Sequence, residues 1–266
     1  MGTRWIHHAG SSATRALAVL SLPHPAAATE RALENGSAGP LLSVIVPTLN
    51  EAEALPGLLG HLADLPGRVE VVVADGASAD GTAGLARVHA LAPRVVEVHG
   101  GRARQLNAGV AASQGEVLVF VHADSRLPTD AYRSLAGACR DGEIVGGNFR
   151  LRFEGNDRFA RALAAYYRVS RRLGIYYGDS SIFVRREVFE RLGGLRELPI
   201  MDDYDFARRL ERAGRTACLP GPALTSSRRW RRAGIPRTMA SWVAIQILYS
   251  AGVPAGRLAP LYRRIR

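Results

Sequence analysis

Cysteine is nearly missing from this 266-residue chain. Cys139 and Cys218 make neither a CxxC pair nor a disulfide-dense pattern, which fits a reduced compartment or indifference to redox. Long apolar runs are missing too. None reaches the ~18 residues of a spanning helix, so the chain is expected to be soluble, in the cytoplasm, or peripheral to the inner face of the membrane. Lysine is absent altogether: all 35 basic side chains are arginine. GC-rich coding explains that bias more simply than chemistry does, and it excludes no function.

Acidic residues are absent from both ends. Residues 1–40 hold no acid before Glu30 and mix Ala, Ser and His with scattered Arg. Their apolar piece, Ala16 to Leu22, is short for a signal peptide, so a flexible extension or an overlong start is expected, with a cleaved targeting peptide as the alternative. From Gly221 to Arg266 there are nine arginines and no Asp or Glu, so this tail carries most of the net charge of +11. Such a tail suits nucleic acid, an anionic membrane or a phosphorylated ligand, and charge alone does not choose. Its arginines lack interleaved aromatic platforms or a recognisable module, which disfavours nucleic acid.

What is present is apolar content of 47%, enough for a sizeable core. "LLSVIVP" (41–47), "VEVVVADG" (69–76), "RVVEVHGG" (94–101) and "GEVLVFVHAD" (115–124) read as buried strands. "EAEALPGLLGHLADL", "GTAGLARVHALA", "ARQLNAGVAAS" and "TDAYRSLAGAC" between and after them read as helices. This alternation predicts an α/β domain with a mostly parallel sheet between helices. Further on, "EIVGGNFRLRF" predicts a longer strand and "RFARALAAYYRVSRRLG" a helix. "SSIFVRREVFERLGG" predicts a strand, then a helix closed by glycine. "DDYDFARRLERAG" has the charge order of a helix, acids first and arginines last. "PRTMASWVAIQILYSAGV" predicts a C-terminal helix. The expected organisation is an extension (1–40), a catalytic domain (41–225) and a basic C-terminal segment with an amphipathic helix (226–266).

In open parallel sheets, ligands bind beyond the carboxyl ends of the strands. Four consecutive strand ends here are polar: Pro47 to Glu51, Asp75 to Gly81, Gly100 to Arg104, and His122 with Asp124. Any one of them reads equally well as helix capping by Asn50 or Asp80 or as turns at Gly76 and Gly81. All four together favour a ligand site. "GGRARQLNAG" does not match GxGxxG, which disfavours a dinucleotide-binding dehydrogenase.

"SVIVPTLNEAEALP", "VVVADGASADGT", "GRARQLNAGVAASQGEVLVFVHADSRLP" and "GDSSIFVRREVFERLGG…MDDYDFARRL" resemble the successive motifs of family-2 glycosyltransferases with the GT-A (nucleotide-diphospho-sugar transferase) fold. The likeness is closest to the bacterial radical-SAM/selenodomain-associated transferase 2 subgroup and spans about residues 41 to 260. It implies a nucleotide-diphosphate donor, UDP-linked, and Mn²⁺ or Mg²⁺. Asp75 would then accept a hydrogen bond from the uracil ring. Pro47, Thr48, Asn50 and Glu51 would line the nucleoside, with Glu51 suited to ribose hydroxyls. Arg104 would approach the donor phosphates, with Asn107 close by.

"HAD" (His122, Ala123, Asp124) stands in place of the family's DxD motif, which makes Asp124 the implied metal ligand. His122 replaces the first Asp; a non-ligand role is favoured over Mn²⁺ ligation. In "MDDYDFARRL" the resemblance makes Asp203 the base that deprotonates the acceptor hydroxyl, with Asp202 beside it on the acceptor side. Mutual repulsion of Asp202, Asp203 and Asp205 suggests that one has a raised pKa. Capping of the helix by Asp202 or Asp203 is the plainer reading. Asp179 would touch acceptor or sugar; Tyr176 and Tyr177 either stack on a sugar or belong to the core. Arg228 and Arg229 would neutralise the departing nucleotide.

The expected activity is metal-dependent, inverting transfer of a sugar to an unknown hydroxyl acceptor. The alternatives are transfer to a lipid phosphate at a membrane surface, with docking through Trp242, Ile245, Ile247, Leu248 and Tyr249, or a non-catalytic nucleotide-sugar binder. Packing of that helix on the domain, or on a second subunit in a homodimer, is favoured over docking.

Overall fold

A computed structural model describes residues 39–155, 157–226 and 235–263. β1 (Leu42–Thr48), β2 (Val69–Asp75), β3 (Arg94–Glu97) and β4 (Val117–Phe120) are parallel, in the order β3-β2-β1-β4. α1 (Leu55–Ala63), α2 (Thr82–Val88) and α3 (Arg102–Ala111) connect them. Alternate residues along these strands enter opposite layers, which is why the runs are apolar throughout. Val44, Val46, Val73 and Val119 pack with Leu55, Leu58, Leu59 and Leu62 of α1. Ile45, Val72, Leu118 and Phe120 pack with Leu106 and Val110 of α3.

The register sets the strand tips level. Thr48 pairs with Asp75, Asp75 with Glu97, and Ile45 with Phe120. Val121 still donates to the Ile45 carbonyl at 3.0 Å, and the chain turns immediately beyond it. The polar tips therefore share one rim.

Beyond β4 the chain makes β5 (Ser125–Arg126), α4 (Ala131–Arg140), β6 (Ile144–Phe153) and α5 (Arg158–Arg172). A 3₁₀ turn (Gly178–Ser180), β7 (Phe183–Arg185), α6 (Arg186–Arg191), α7 (Asp202–Ala213) and β8 (Arg215–Thr225) follow. Among the described residues the sheet has eight strands, ordered β3-β2-β1-β4-β7-β6-β8-β5. β7 runs antiparallel to β4 and β6, and β8 parallel to β6, so the sheet is parallel in its first half and mixed beyond.

The sequence pattern did not predict β5 or β8. In "RTACLPGPALT" two prolines and a glycine argue against a strand. The register slips where Phe149 pairs with Leu219 and Arg150 with Pro222, so the proline–glycine kink is absorbed as an irregularity.

α8 (Ile235–Ser250) and α9 (Ala255–Arg263) pack on the domain. Ile245, Leu258 and Ala259 close over Leu198, Ile200 and Met201, and Met239 with Trp242 over Phe153 and Leu163. Of the residues considered for membrane docking, Trp242, Ile245 and Tyr249 thus face protein, and Ile247 and Leu248 face solvent. No described helix is long and apolar enough to cross a membrane. Gly39–Arg266 clusters as one unit.

Candidate active site

The tips of β1 and β2 are tied by one carboxylate. Asp75, 1% exposed, accepts at Oδ1 from Thr48 Oγ1 (2.8 Å) and Ser78 Oγ (2.7 Å), and at Oδ2 from Ser78 N (2.8 Å). Asn50 does not cap a helix. Its backbone N donates to Ser78 Oγ (2.8 Å) and its Oδ1 accepts from Ala79 N (2.9 Å), so it staples the two loops together. Asp80 does hold the start of α2: Oδ1 accepts from Thr82 N (3.1 Å) and Thr82 Oγ1, and Oδ2 from Ala52 N (3.0 Å). From behind, buried Gln105 of α3 donates to the Thr48 carbonyl (2.5 Å) and the Ala74 carbonyl (3.0 Å). Pro47 and Glu51 flank this junction, and the Glu51 backbone N donates to Thr82 Oγ1 (2.9 Å).

"HAD" forms the turn after β4. Ser125 N donates to the His122 carbonyl at 3.0 Å, and β5 then pairs Ser125 with Thr225 at the end of β8. Ala123 is buried, whereas His122 and Asp124 are partly exposed. The histidine and the carboxylate thus lie past the end of the buried strand, at the rim.

Opposite this turn, α7 begins with Asp202 and Asp203, whose environments differ. Asp202, 3% exposed, is gripped by a guanidinium fork: Arg102 Nε to Oδ2 at 3.0 Å and Nη2 to Oδ1 at 2.6 Å. Asp203 accepts at Oδ2 from Gly178 N (2.8 Å) and at Oδ1 from Tyr204 N (2.8 Å), with Arg102 Nη2 3.2 Å from Oδ2. Arg102, His122, Gly178 and Asp203 line one small pocket with Phe120 and Leu195.

Burial pushes the Asp203 pKa up, but Arg102, the two backbone N–H groups and His122 together hold it below the usual carboxylate range. The raised carboxylate pKa anticipated from the acidic cluster is therefore not found at Asp203, because an arginine, backbone donors and His122 outweigh its burial. Burial disfavours the Arg102 cation, yet Asp203 and Asp202 raise its pKa, so it stays charged.

Other expected residues fall differently. Asp202, anticipated on the acceptor side, is buried against Arg102 and acts by orienting it. Neither it nor Asp203 is the N-cap of α7, which is Met201 at φ 64°. Asp179 accepts from Tyr167 Oη at 3.0 Å, beside the pocket glycine Gly178. Tyr176 is 1% exposed, under Arg171, and belongs to the core, so it does not stack on a sugar. Tyr177 stacks on Tyr204 at 5.7 Å. Arg104 pairs through Nε and Nη2 with Glu197 (3.2 and 2.8 Å). Asn107 exchanges two hydrogen bonds with the Leu195 backbone (2.8 and 2.9 Å), which fixes the loop before α7. Arg228 and Arg229 lie outside the described residues.

Arg102 belongs to the third polar strand tip but had no role assigned to it, and Gln105 and Gly178 were not singled out as site residues. For Arg102 a signal existed: it opens a helix directly after Gly100 and Gly101, both at positive φ. Among the described residues no three His, Cys, Asp or Glu side chains gather to hold a metal. The donors at the rim are the Asp124 carboxylate and the His122 imidazole. That set fits a hard cation only if a ligand supplies most of the oxygens.

Comparison with known proteins settles the family. The model described as Glycosyl transferase family 2 matches residues 43–193. The chain belongs to that family. A relative of this family-2 glycosyltransferase, the PGL/p-HBAD biosynthesis glycosyltransferase of Mycobacterium bovis, is 30% identical over 200 residues, covering 71% of this chain and 73% of the relative. Among solved structures, the mannosyltransferase PcManGT from Pyrobaculum calidifontis, in complex with GDP-Man and Mn²⁺, is similar with TM-score 0.64 and 26% identity, covering 88% of this chain and 73% of that one. S. aureus TarS 1–349 in complex with UDP-GlcNAc has TM-score 0.58 at 17% identity, covering 83% and 70%. That last likeness is one of fold alone. Together these neighbours establish the α/β GT-A fold for this family-2 glycosyltransferase.

Proposed function

We propose that this glycosyltransferase moves a sugar from a nucleotide diphosphate, UDP-linked, to a hydroxyl acceptor with inversion at the anomeric carbon, and that Asp203 is the base. The observation that carries the reading is Asp203 itself. It is held ionised by Arg102 and two backbone N–H groups, in a pocket it shares with His122 of the rim turn. The assignment within the family to the radical-SAM/selenodomain-associated subgroup belongs to the same proposal.

On this reading the nucleoside lies over Pro47, Thr48, Asn50 and Glu51. Asp75, expected to meet the base, is buried with both oxygens engaged and instead shapes that floor through Thr48 and Ser78; Arg104 and Asn107 border it. Asp124 holds a divalent cation, Mn²⁺ or Mg²⁺, with His122 beside it; when bound, that cation offsets charge on the diphosphate leaving group. Its dependence on ligand oxygens follows from the sparse donor set at the rim. The complex of one structural neighbour, the mannosyltransferase PcManGT with GDP-Man and Mn²⁺, supports a nucleotide-sugar donor and a divalent metal.

Asp203 accepts the acceptor hydroxyl's proton as its oxygen bonds to the anomeric carbon. Its lowered pKa keeps Asp203 ionised and ready to accept, though it makes the carboxylate a weaker base than one poised near the working pH. Arg102 keeps the carboxylate charged and aimed, and Asp202 keeps Arg102 in place.

The test compares wild type with Asp203→Asn and Asp124→Ala for transfer or hydrolysis of nucleotide sugars with Mn²⁺, and for thermal shift with UDP, GDP and ADP. Asp203→Asn should lose roughly 10²–10⁴-fold in kcat while keeping the metal-dependent nucleotide shift. Asp124→Ala should lose that part of the shift. If wild type binds UDP and turns over no donor, the protein is a nucleotide-sugar binder instead.

A further inference from the structure

α7 carries a second set of charges that the Asp203 pocket does not use. Along α7 past the base, Asp205, Arg208, Arg209 and Arg212 line a recess of about 320 Å³, open to solvent, which Arg196 and Tyr249 also line. Four guanidinium groups meet one carboxylate there, and that carboxylate is already engaged. Arg209 Nε donates to Asp205 at 2.8 Å and Arg196 Nη1 at 3.1 Å.

Arg209 is also spent on structure, through the carbonyls of Leu192 (2.9 Å) and Gly194 (2.8 Å). The others are not. Arg208 reaches the carbonyls of Leu173 and Gly174 through Nη1, at 3.1 and 3.2 Å. Arg196 has 64% of its side chain exposed. Exposed Arg212 makes no hydrogen bond or ion pair with any described residue. Arg208 and Arg212 are i,i+4 on one helix, where like charges repel.

We infer that this recess binds a phosphate group bearing two negative charges, held by Arg196, Arg208 and Arg212, on a ligand other than the one at the Asp203 pocket. Planar guanidinium forks match phosphate oxygens in pairs, and a dianion would relieve the repulsion among them. Tyr204 joins the two places: it follows Asp203 in the chain and lines the recess. The phosphate has two chemically equivalent sources, a soluble phosphorylated molecule or a lipid headgroup. Leu173, whose carbonyl accepts from Arg208, has a side chain that is 69% exposed, which makes a lipid source physically reasonable. This inference is independent of the glycosyl-transfer reading, and neither falls with the other.

The experiment titrates inorganic phosphate into wild type, Arg212→Ser and the double variant Arg196→Ser/Arg212→Ser. Chloride holds ionic strength constant and EDTA removes divalent cations. Arg140→Ser, an exposed arginine on α4, controls for net charge. A second arm measures flotation with phosphatidylcholine vesicles with and without phosphatidic acid. The double variant should bind phosphate at least tenfold more weakly than wild type and the Arg140 control. If it also loses recruitment to phosphatidic acid vesicles, the source is a headgroup; if wild type ignores those vesicles, the source is soluble. Arg212→Ser removes no contact to a described residue, so it serves if the double variant does not fold. Equal phosphate binding by wild type and the variants overturns the inference.

Discussion

Asp202 and Asp203 are chain neighbours with different work. Asp202 is buried under the Arg102 fork and has both oxygens engaged there; Asp203 has backbone donors and a pocket in front of it. The sign of the Asp203 shift gives a pH prediction. Its folded pKa lies below the ordinary 3.8, so its contribution to stability is complete above that value and disappears as pH falls through the lowered one. Across about pH 5 to 8, where histidine titrates, Asp203 should therefore impose no acid limb on kcat/KM. The check is the profile of wild type against His122→Asn. A limb in that window surviving the histidine replacement would mean Asp203 is not the ionised base.

At the scale of elements, the site is made by junctions. Asn50, Ala77, Ser181 and Met201 all have φ between 51° and 64°, and each sits where a strand or helix of the rim begins or ends. Non-glycine residues occupy that region at a cost, and such positions gather at functional sites. The 3₁₀ turn before β7 delivers Gly178 N to Asp203. A Cβ on Gly178 would come to 3.1 Å from both Asp203 Oδ2 and His122 Nε2, wedging the base away from the rim turn. Gly178→Ala should lower kcat about 10- to 100-fold, the scale of a misplaced reacting group. The donor KM should stay within about twofold. Steady-state kinetics of the purified variant decide this, and a change in KM alone would assign Gly178 to the donor instead.

At the scale of the molecule, the C-terminal helices support the catalytic one. Leu258 of α9 and Ile245 of α8 enclose Ile200 and, with it, the backbone that places Met201 at positive φ before Asp202. Leu258→Ala should cost about 2–5 kcal/mol in stability, as for other buried leucines. It should also lower activity below the melting transition, because the loop before α7 loosens. Denaturant midpoints and activity at a temperature where the variant remains folded test both. Full activity in a destabilised variant would separate the buttress from the site.

The half of the fold with simple periodicity was legible in the sequence. Four apolar runs that end in polar tips dictate a parallel sheet and a single rim, and the ordered motifs point to the family. β8 was hidden because Pro220, Gly221 and Pro222 contradict strand propensity, and only pairing with β6 overrides it. The sequence also determined that Asp203 opens a helix. It did not determine that Arg102, a hundred residues away, would lower the pKa of Asp203 rather than let its acidic neighbours raise it. Nor did it separate Tyr176, buried in the core, from Tyr177 beside the pocket. Local pattern specifies which backbone an element adopts and which face it buries. Charge balance, partners and exposure depend on residues brought together across the chain, and tertiary packing decides them.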